Sequence, residues 1–177
     1  TQATLKVVGA FHGLSRERSD ARRYPAIHPL ESWSKYPSVV DDEAVRFSRD
    51  VLRQGNEVGQ MMKVVGEEGT TTEDFVVYLK GEYLDAVYLQ QDAYHEVDSA
   101  SSSERQKYVF GRIAKILRTK MSFKDKDAAR KFFQGLTQTT KDWNRAAMPG
   151  DRKDAGPEFK AIEQRIEKMV AEVTDYA

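Results

Sequence analysis

The sequence predicts a mainly α protein: a helical bundle of about five helices over residues 42–177, preceded by an irregular arm over residues 1–41. Three observations point there. From Asp42 onward, apolar residues recur at the three- and four-residue spacing that paints one face of a helix. Gly, Ser, Thr, Asp and Pro stand at the joints between those stretches, where caps and breakers belong. Hydrophobic residues make up 40% and charged residues 32% of the chain, the balance expected of one apolar core under a charged helical surface.

The elements follow in order. Residues 1–10, TQATLKVVGA, are an apolar run too short to separate a strand from the first turns of a helix. Residues 15–23 are polar with helical propensity. Tyr24 must leave the α region, because a following proline disfavours it, and Pro29 and Pro37 keep residues 24–40 irregular. This aromatic, proline-rich and aperiodic segment is expected to lie on a surface outside the chain. Phe47, Val51, Gly55, Val58, Met62 and Val65 form one row of a helix over residues 42–65, stopped by Gly66. Thr71 or Thr72 caps the next helix, with Glu73 and Asp74 where the dipole favours acids. Phe75, Val76, Leu79, Tyr83, Val87 and Leu89 carry it to about Gln91.

Ser101-Ser-Ser-Glu104 reads as a capping box opening a third helix with Tyr108, Val109, Ile113, Ile116 and Leu117. Asp125 or Asp127 starts a fourth, carrying Phe132, Phe133, Leu136 and Trp143. Pro157, just after Gly156, suits the first turn of a fifth, with Phe159, Ile162, Ile166, Met169 and Val173.

Net charge is zero, but it is unevenly placed: residues 41–98 carry 14 acidic and 5 basic side chains, and residues 104–153 the reverse. The halves could be two complementary helical layers, or the basic one could be a docking face for an acidic partner. The absence of cysteine excludes a disulfide framework and thiolate chemistry. No apolar run approaches the ~20 residues of a membrane span, no signal peptide is visible, and the chain opens at Thr1 without methionine, as a processed protein or an excised fragment would. A cytoplasmic origin fits.

Phosphate-cradling motifs of the G-x-x-x-x-G-K-[ST] and G-x-G-x-x-G types do not occur. His12, His28 and His95 are scattered, and His95-Glu96-x-Asp98 lacks the paired histidines of a zinc site. Arg16, Arg18, Arg22 and Arg23 could grip phosphate or form a solvated face. Two aromatic turns carry more. Tyr24, before proline, is held in an extended turn that can aim its ring outward, and Tyr94 falls just past a helix end. Together the two rings could hold a purine by stacking, or each could pack the bundle.

Thr1-Gln-Ala-Thr-Leu5, Arg23-Tyr24-Pro25-Ala26-Ile27 and Tyr88-Leu-Gln-Gln-Asp-Ala-Tyr94, in that order, resemble the catalytic A subunit of V-type (V/A-type) ATPases. In that family the second stretch is usually R-[HR]-[FY]-P-[AS]-I and the third is close to F-L-Q-Q-N-A-F, followed by D-x-V-D. Here the continuation is His95-Glu96-Val97-Asp98. Tyr24 to Pro29 also resembles the Y-P-A-[VI]-[DH]-P turn of the F-type beta subunit.

The resemblance covers essentially the whole chain and implies part of an ATP-driven, ion-translocating rotary motor with catalytic sites between A and B subunits. It implies that residues 1–41 are the tail of the nucleotide-binding α/β domain and residues 42–177 the C-terminal helical bundle. Tyr24, Pro25, Ala93 and Tyr94 would line the adenine pocket. Glu67, Glu68, Glu73 and Asp74 would form the acidic helix–turn–helix tip that pushes on the central stalk. ATP or ADP with Mg²⁺ would bind the complete subunit, whose phosphate loop, catalytic glutamate and metal ligands lie upstream. This stretch alone is expected to bind no cofactor and to be inactive. Expected partners are B subunits and the rotor, with neither nucleic acid nor inserted membrane, and the place is the cytoplasmic head, peripheral to the membrane. Tyrosine replaces the family's commoner phenylalanine at both pocket positions, and residues 33–42 are shorter than usual and lack a tryptophan pair. The rival expectation is a free-standing helical adaptor binding nucleic acid or an acidic protein through residues 104–153.

Overall fold

The five expected helices all form, and each begins at a side chain or residue able to start it. The computed structural model describes residues 6–151 and 155–174. In the arm, strand β1 (Ala10–Phe11) pairs antiparallel with β2 (Trp33–Ser34), and a short helix α1 (Arg16–Asp20) is capped by Ser15. Helix α2 (Asp42–Val65) starts at Asp41, whose carboxylate accepts from the Ala44 amide at 2.7 Å, and stops at Gly66 with φ 79°. Helix α3 (Thr72–Leu84) is capped by Thr71, α4 (Ser103–Arg118) by Ser102, α5 (Lys126–Arg145) by Asp125, and α6 (Pro157–Val173) opens on Pro157.

Two expectations need correction. Ser101-x-x-Glu104 is not a capping box: Ser102 caps, accepting from the Arg105 amide at 3.2 Å. The helix read through to Gln91 is α-helical only to Leu84, and residues Asp85–Leu89 continue it as a π turn.

The core gathers α2 to α6 around Tyr83, Leu84, Ile113, Leu117, Ala129, Leu136, Trp143 and Phe159, each at most 2% exposed. Helices α2 and α3 cross closely at Gly55 and Gly81: a Cβ on Gly55 would lie 3.4 Å from the Val77 carbonyl and 3.5 Å from the Gly81 Cα. Trp143 packs its ring 4.8 Å from Phe159, with Tyr108 against both. Val65, expected on the buried row of α2, is exposed because that row runs past the end of the bundle. The acidic and basic halves do face each other, joined by Arg130 to Glu67, Arg118 to Glu43 and Arg145 to Asp92. Surface pairs of this kind contribute only ~0–1 kcal/mol each, so burial of the apolar faces dominates.

The arm is anchored on the bundle, while Leu14, Tyr24 and Tyr36 of its outer side stay exposed. Arg49 on α2 donates to the carbonyls of Pro29, Leu30 and Ser32 at 2.6–3.1 Å, and Leu14 bridges Ile27. Arg18 and Arg23 are not a solvated face, since both turn inward onto α3.

Buried tyrosines set an alkaline limit. Burial pushes the phenols of Tyr83, Tyr78 and Tyr88 above the ordinary tyrosine range. A folded pKa raised above the unfolded one contributes stability that is complete below about pH 10 and lost as pH rises through the folded values. Lys80, whose ammonium donates to the Leu117 and Thr119 carbonyls, has the opposite sign: burial lowers it, so its contribution grows as pH climbs toward the ordinary lysine range. The melting temperature is therefore expected to fall above about pH 10, and to fall less steeply in Tyr83→Phe. Identical slopes for the two proteins would exclude Tyr83 as a cause.

Candidate functional site

Two segments far apart in sequence meet beyond the C-terminal end of α3. The first is a loop closed on itself. The Ser15 amide donates to the Ala26 carbonyl at 2.8 Å, the His28 amide to Gly13 at 2.7 Å, and the chain reverses at Arg22, with φ 55°. Tyr24 and Pro25, joined by a cis peptide, lie between that reversal and the Ser15–Ala26 closure. The second is the loop over residues 91–98. The Gln91 amide donates to the Tyr24 carbonyl at 3.0 Å and fastens one to the other.

The second loop is built around Asp92 and Asp98. The Asp98 carboxylate accepts from the Asp92 amide at 2.6 Å, and its carbonyl accepts from the Gln91 side chain at 2.7 Å. Asp92 in turn accepts from the Tyr94 amide at 3.1 Å and pairs with Arg145 of α5 at 3.2 Å. The Tyr94 amide, followed by Arg145, holds the Asp92 carboxyl below the usual range. His95 accepts from the Val97 amide through Nδ1 at 3.3 Å, so His95 and Asp98 are used to shape the loop.

Within this frame the aromatic rings point outward. Tyr94 is fully exposed, Tyr24 is 54% exposed, and Pro25 and Ala93 are exposed beside them. Packing of the two tyrosines into the bundle, one of the two sequence readings, is therefore ruled out. What they form is an open lip. A cavity of about 1080 Å³ lies on the inner side, between the arm and α2, α3 and α5, and none of these four residues lines it. An aromatic lip with no enclosing wall can stack on one face of a planar ring but cannot surround a ligand unaided.

Behind the lip is a buried ion cluster that sequence reasoning missed. Asp85, 4% exposed, opens the π turn and is paired with Arg18 and, at 2.8 Å, with Arg23; Arg23 also reaches Glu82 at 2.9 Å. The hydrogen bond from Arg23 to Glu82 is the main reason its guanidinium pKa is raised further. The available signal was the aspartate itself, in the apolar run Tyr83-Leu84-Asp85-Ala86-Val87, since a buried charge requires a partner. Single-turn π segments of this kind occur frequently at functional sites.

At the opposite end of α3, Glu67, Glu68 and Glu73 of the acidic tip are exposed and two of the four tip carboxylates have partners. Glu67 is held by Arg130, and Asp74 is half-buried, accepting from the Thr71 hydroxyl at 2.8 Å. Glu68 and Glu73 are exposed, as are Met61, Val64 and Val65 on the adjoining end of α2.

Residues 45–128 match the family described as the C-terminal domain of V and A type ATP synthase. The chain is 57% identical over 175 residues to the V-type ATP synthase alpha chain of Treponema denticola, a match covering 99% of this chain and 29% of that one. It is 61% identical over 144 residues to V-type ATP synthase alpha chain 1 of Treponema pallidum, covering 81% and 24%. For the alpha chain of Borreliella burgdorferi the figures are 58% over 170 residues, covering 96% and 28%. The chain thus spans less than a third of the length of these relatives. A solved ATP synthase subunit, NeqB from Nanoarcheaum equitans, superposes with a TM-score of 0.54 at 20% identity, over 66% of this chain and 30% of that one, a likeness of fold alone.

Proposed function

Because this chain belongs to the V- and A-type ATP synthase family, with residues 45–128 matching its C-terminal domain, we propose that it serves the catalytic subunit of a rotary, ion-translocating ATPase by completing the adenine site, residues 1–41 being the tail of the nucleotide-binding domain. The observation carrying this reading is the fastening of the Tyr24 and Tyr94 segments through the Gln91–Tyr24 hydrogen bond, with both rings left exposed. Tyr24, Pro25, Ala93 and Tyr94 form the aromatic and apolar face on which adenine stacks. ATP or ADP supplies the ring, and its phosphates and Mg²⁺ are held by the remainder of the subunit. Stacking alone is worth only ~1–3 kcal/mol per base, so the chain by itself is expected to lack ATPase activity.

The partners of this reading are B subunits around the head and the central stalk, met by the tip that carries Glu67, Glu68, Glu73 and Asp74. The place is the cytoplasmic face of a membrane, peripherally. Among the described residues no helix is long and apolar enough to cross one. The adaptor alternative drops out, because the relatives over nearly the whole chain are ATP synthase alpha chains and the basic half is spent partly on ion pairs to the acidic one.

Photolysis of an azidoadenine analogue of ATP in the assembled enzyme tests the lip. Label that ATP protects against is expected within residues 22–27 or 91–96. Protected label confined to other segments would remove the lip from the nucleotide site.

A further inference from the structure

We infer that Asp85 is a positioning residue for the nucleotide lip: one buried carboxylate holds both of its segments. The inference rests on the adenine reading of Tyr24 and Tyr94. Three donors converge on Asp85: the guanidinium of Arg18, that of Arg23 at 2.8 Å and the side-chain amide of Gln90 at 3.3 Å. Arg23 immediately precedes Tyr24. Gln90 immediately precedes Gln91, whose amide joins the Tyr24 carbonyl. The carboxylate is thus one residue removed from the start of each lip segment. Its backbone takes part as well, for the Asp85 carbonyl accepts from the Gln90 amide at 3.0 Å and closes the wide turn from which the second segment leaves.

The arrangement is asymmetric in a way that predicts what fails. Arg23 has a second carboxylate in Glu82, whereas the Nε and second terminal nitrogen of Arg18 are buried without a hydrogen-bond partner among the described residues. Replacing the carboxylate by an amide removes the charge and leaves one acceptor oxygen for three donors; Arg23 keeps Glu82, whereas Arg18 keeps no carboxylate, so the inner anchor of the loop bearing Tyr24 is weakened. The side chain of Asp85 contacts neither lip ring, so it acts on nucleotide only through where those rings stand.

The test uses the complete subunit assembled into the enzyme, with Asp85→Asn, Tyr94→Ala and the double variant assayed for kcat and KM with ATP. Asp85→Asn is expected to raise KM about fivefold or more, with kcat changed much less, and the double variant to fall short of the product of the two single effects, as expected for residues serving one lip. If Tyr94→Ala raises KM and Asp85→Asn does not, the positioning role is overturned and the adenine reading stands. If neither raises it, the adenine reading fails and this inference with it. Should Asp85→Asn not assemble, Arg18→Gln removes the inner anchor while leaving Arg23 on Asp85 and Glu82, and an unchanged KM in assembled Arg18→Gln overturns the proposal.

Discussion

Tyr94→Ala in the assembled enzyme is expected to raise the KM for ATP by about 5–150-fold, the range that corresponds to losing ~1–3 kcal/mol of stacking, and to lower kcat far less. The ring of Tyr94 is fully exposed and makes no contribution to the core, so truncating it leaves the fold alone. The loop beneath it is held through backbone bonds to Asp92 and Asp98, none of which involves the Tyr94 side chain. The adenine is remote from the phosphate that reacts, so its stacking is nearly equal in the ground and transition states. Interactions of that kind appear in KM and not in kcat. Tyr94→Phe should restore the wild-type KM if the ring alone matters, and only partly if the hydroxyl that distinguishes this chain at the adenine edge donates a hydrogen bond. A KM for Tyr94→Ala equal to that of the wild type would take the residue out of the site.

Deleting residues 67–70 in the full subunit is expected to abolish ATP-coupled ion pumping, whereas Glu68→Gln with Glu73→Gln is expected to leave most of it. Only those two tip carboxylates project without a use in the fold, since Glu67 is held by Arg130 and Asp74 serves the α3 cap. Beside them stand exposed Met61, Val64 and Val65, 39%, 85% and 55% exposed, an apolar end suited to pushing by shape. Neutralising Glu68 and Glu73 should shift stability by no more than about ±0.5 kcal/mol, as surface substitutions usually do. Adding Glu67→Gln should cost at most ~1 kcal/mol more, because its pair with Arg130 is itself half exposed. Pumping and torque undiminished by the deletion would show that residues 66–74 are not the rotor contact.

What could be read from the sequence was local. Helix positions, the Gly66 stop and the caps at Thr71 and Asp125 depend on residues within one turn of each other, and they stand where the pattern put them. Errors arose where two local solutions compete, as with Ser101 and Ser102 at the start of α4. The lip residues were legible through family resemblance and not through periodicity, because an outward-facing tyrosine has no packing signature. What holds the lip was not legible. Arg23 and Asp85 are 62 positions apart, and nothing in either neighbourhood indicates that a polar helix in the arm should close onto α3. The π turn was equally hidden, since the apolar spacing of Tyr83, Val87 and Leu89 continues through it as though the helix were regular.

One element touches both ends of the molecule. From Thr72 to Leu89, α3 and its π turn run without a break between the tip and the nucleotide lip, a strut of roughly 27 Å at 1.5 Å per residue. An α-helix is stiffer than a loop, so a displacement at Thr71 would be carried along α3 as far as the π turn. At the glycine crossing the backbones of α2 and α3 are closely packed, which ties the column to its neighbour midway along. The π turn closes that column and runs straight into the loop that carries Tyr94, so a displacement of the turn moves the Tyr94 ring relative to Tyr24.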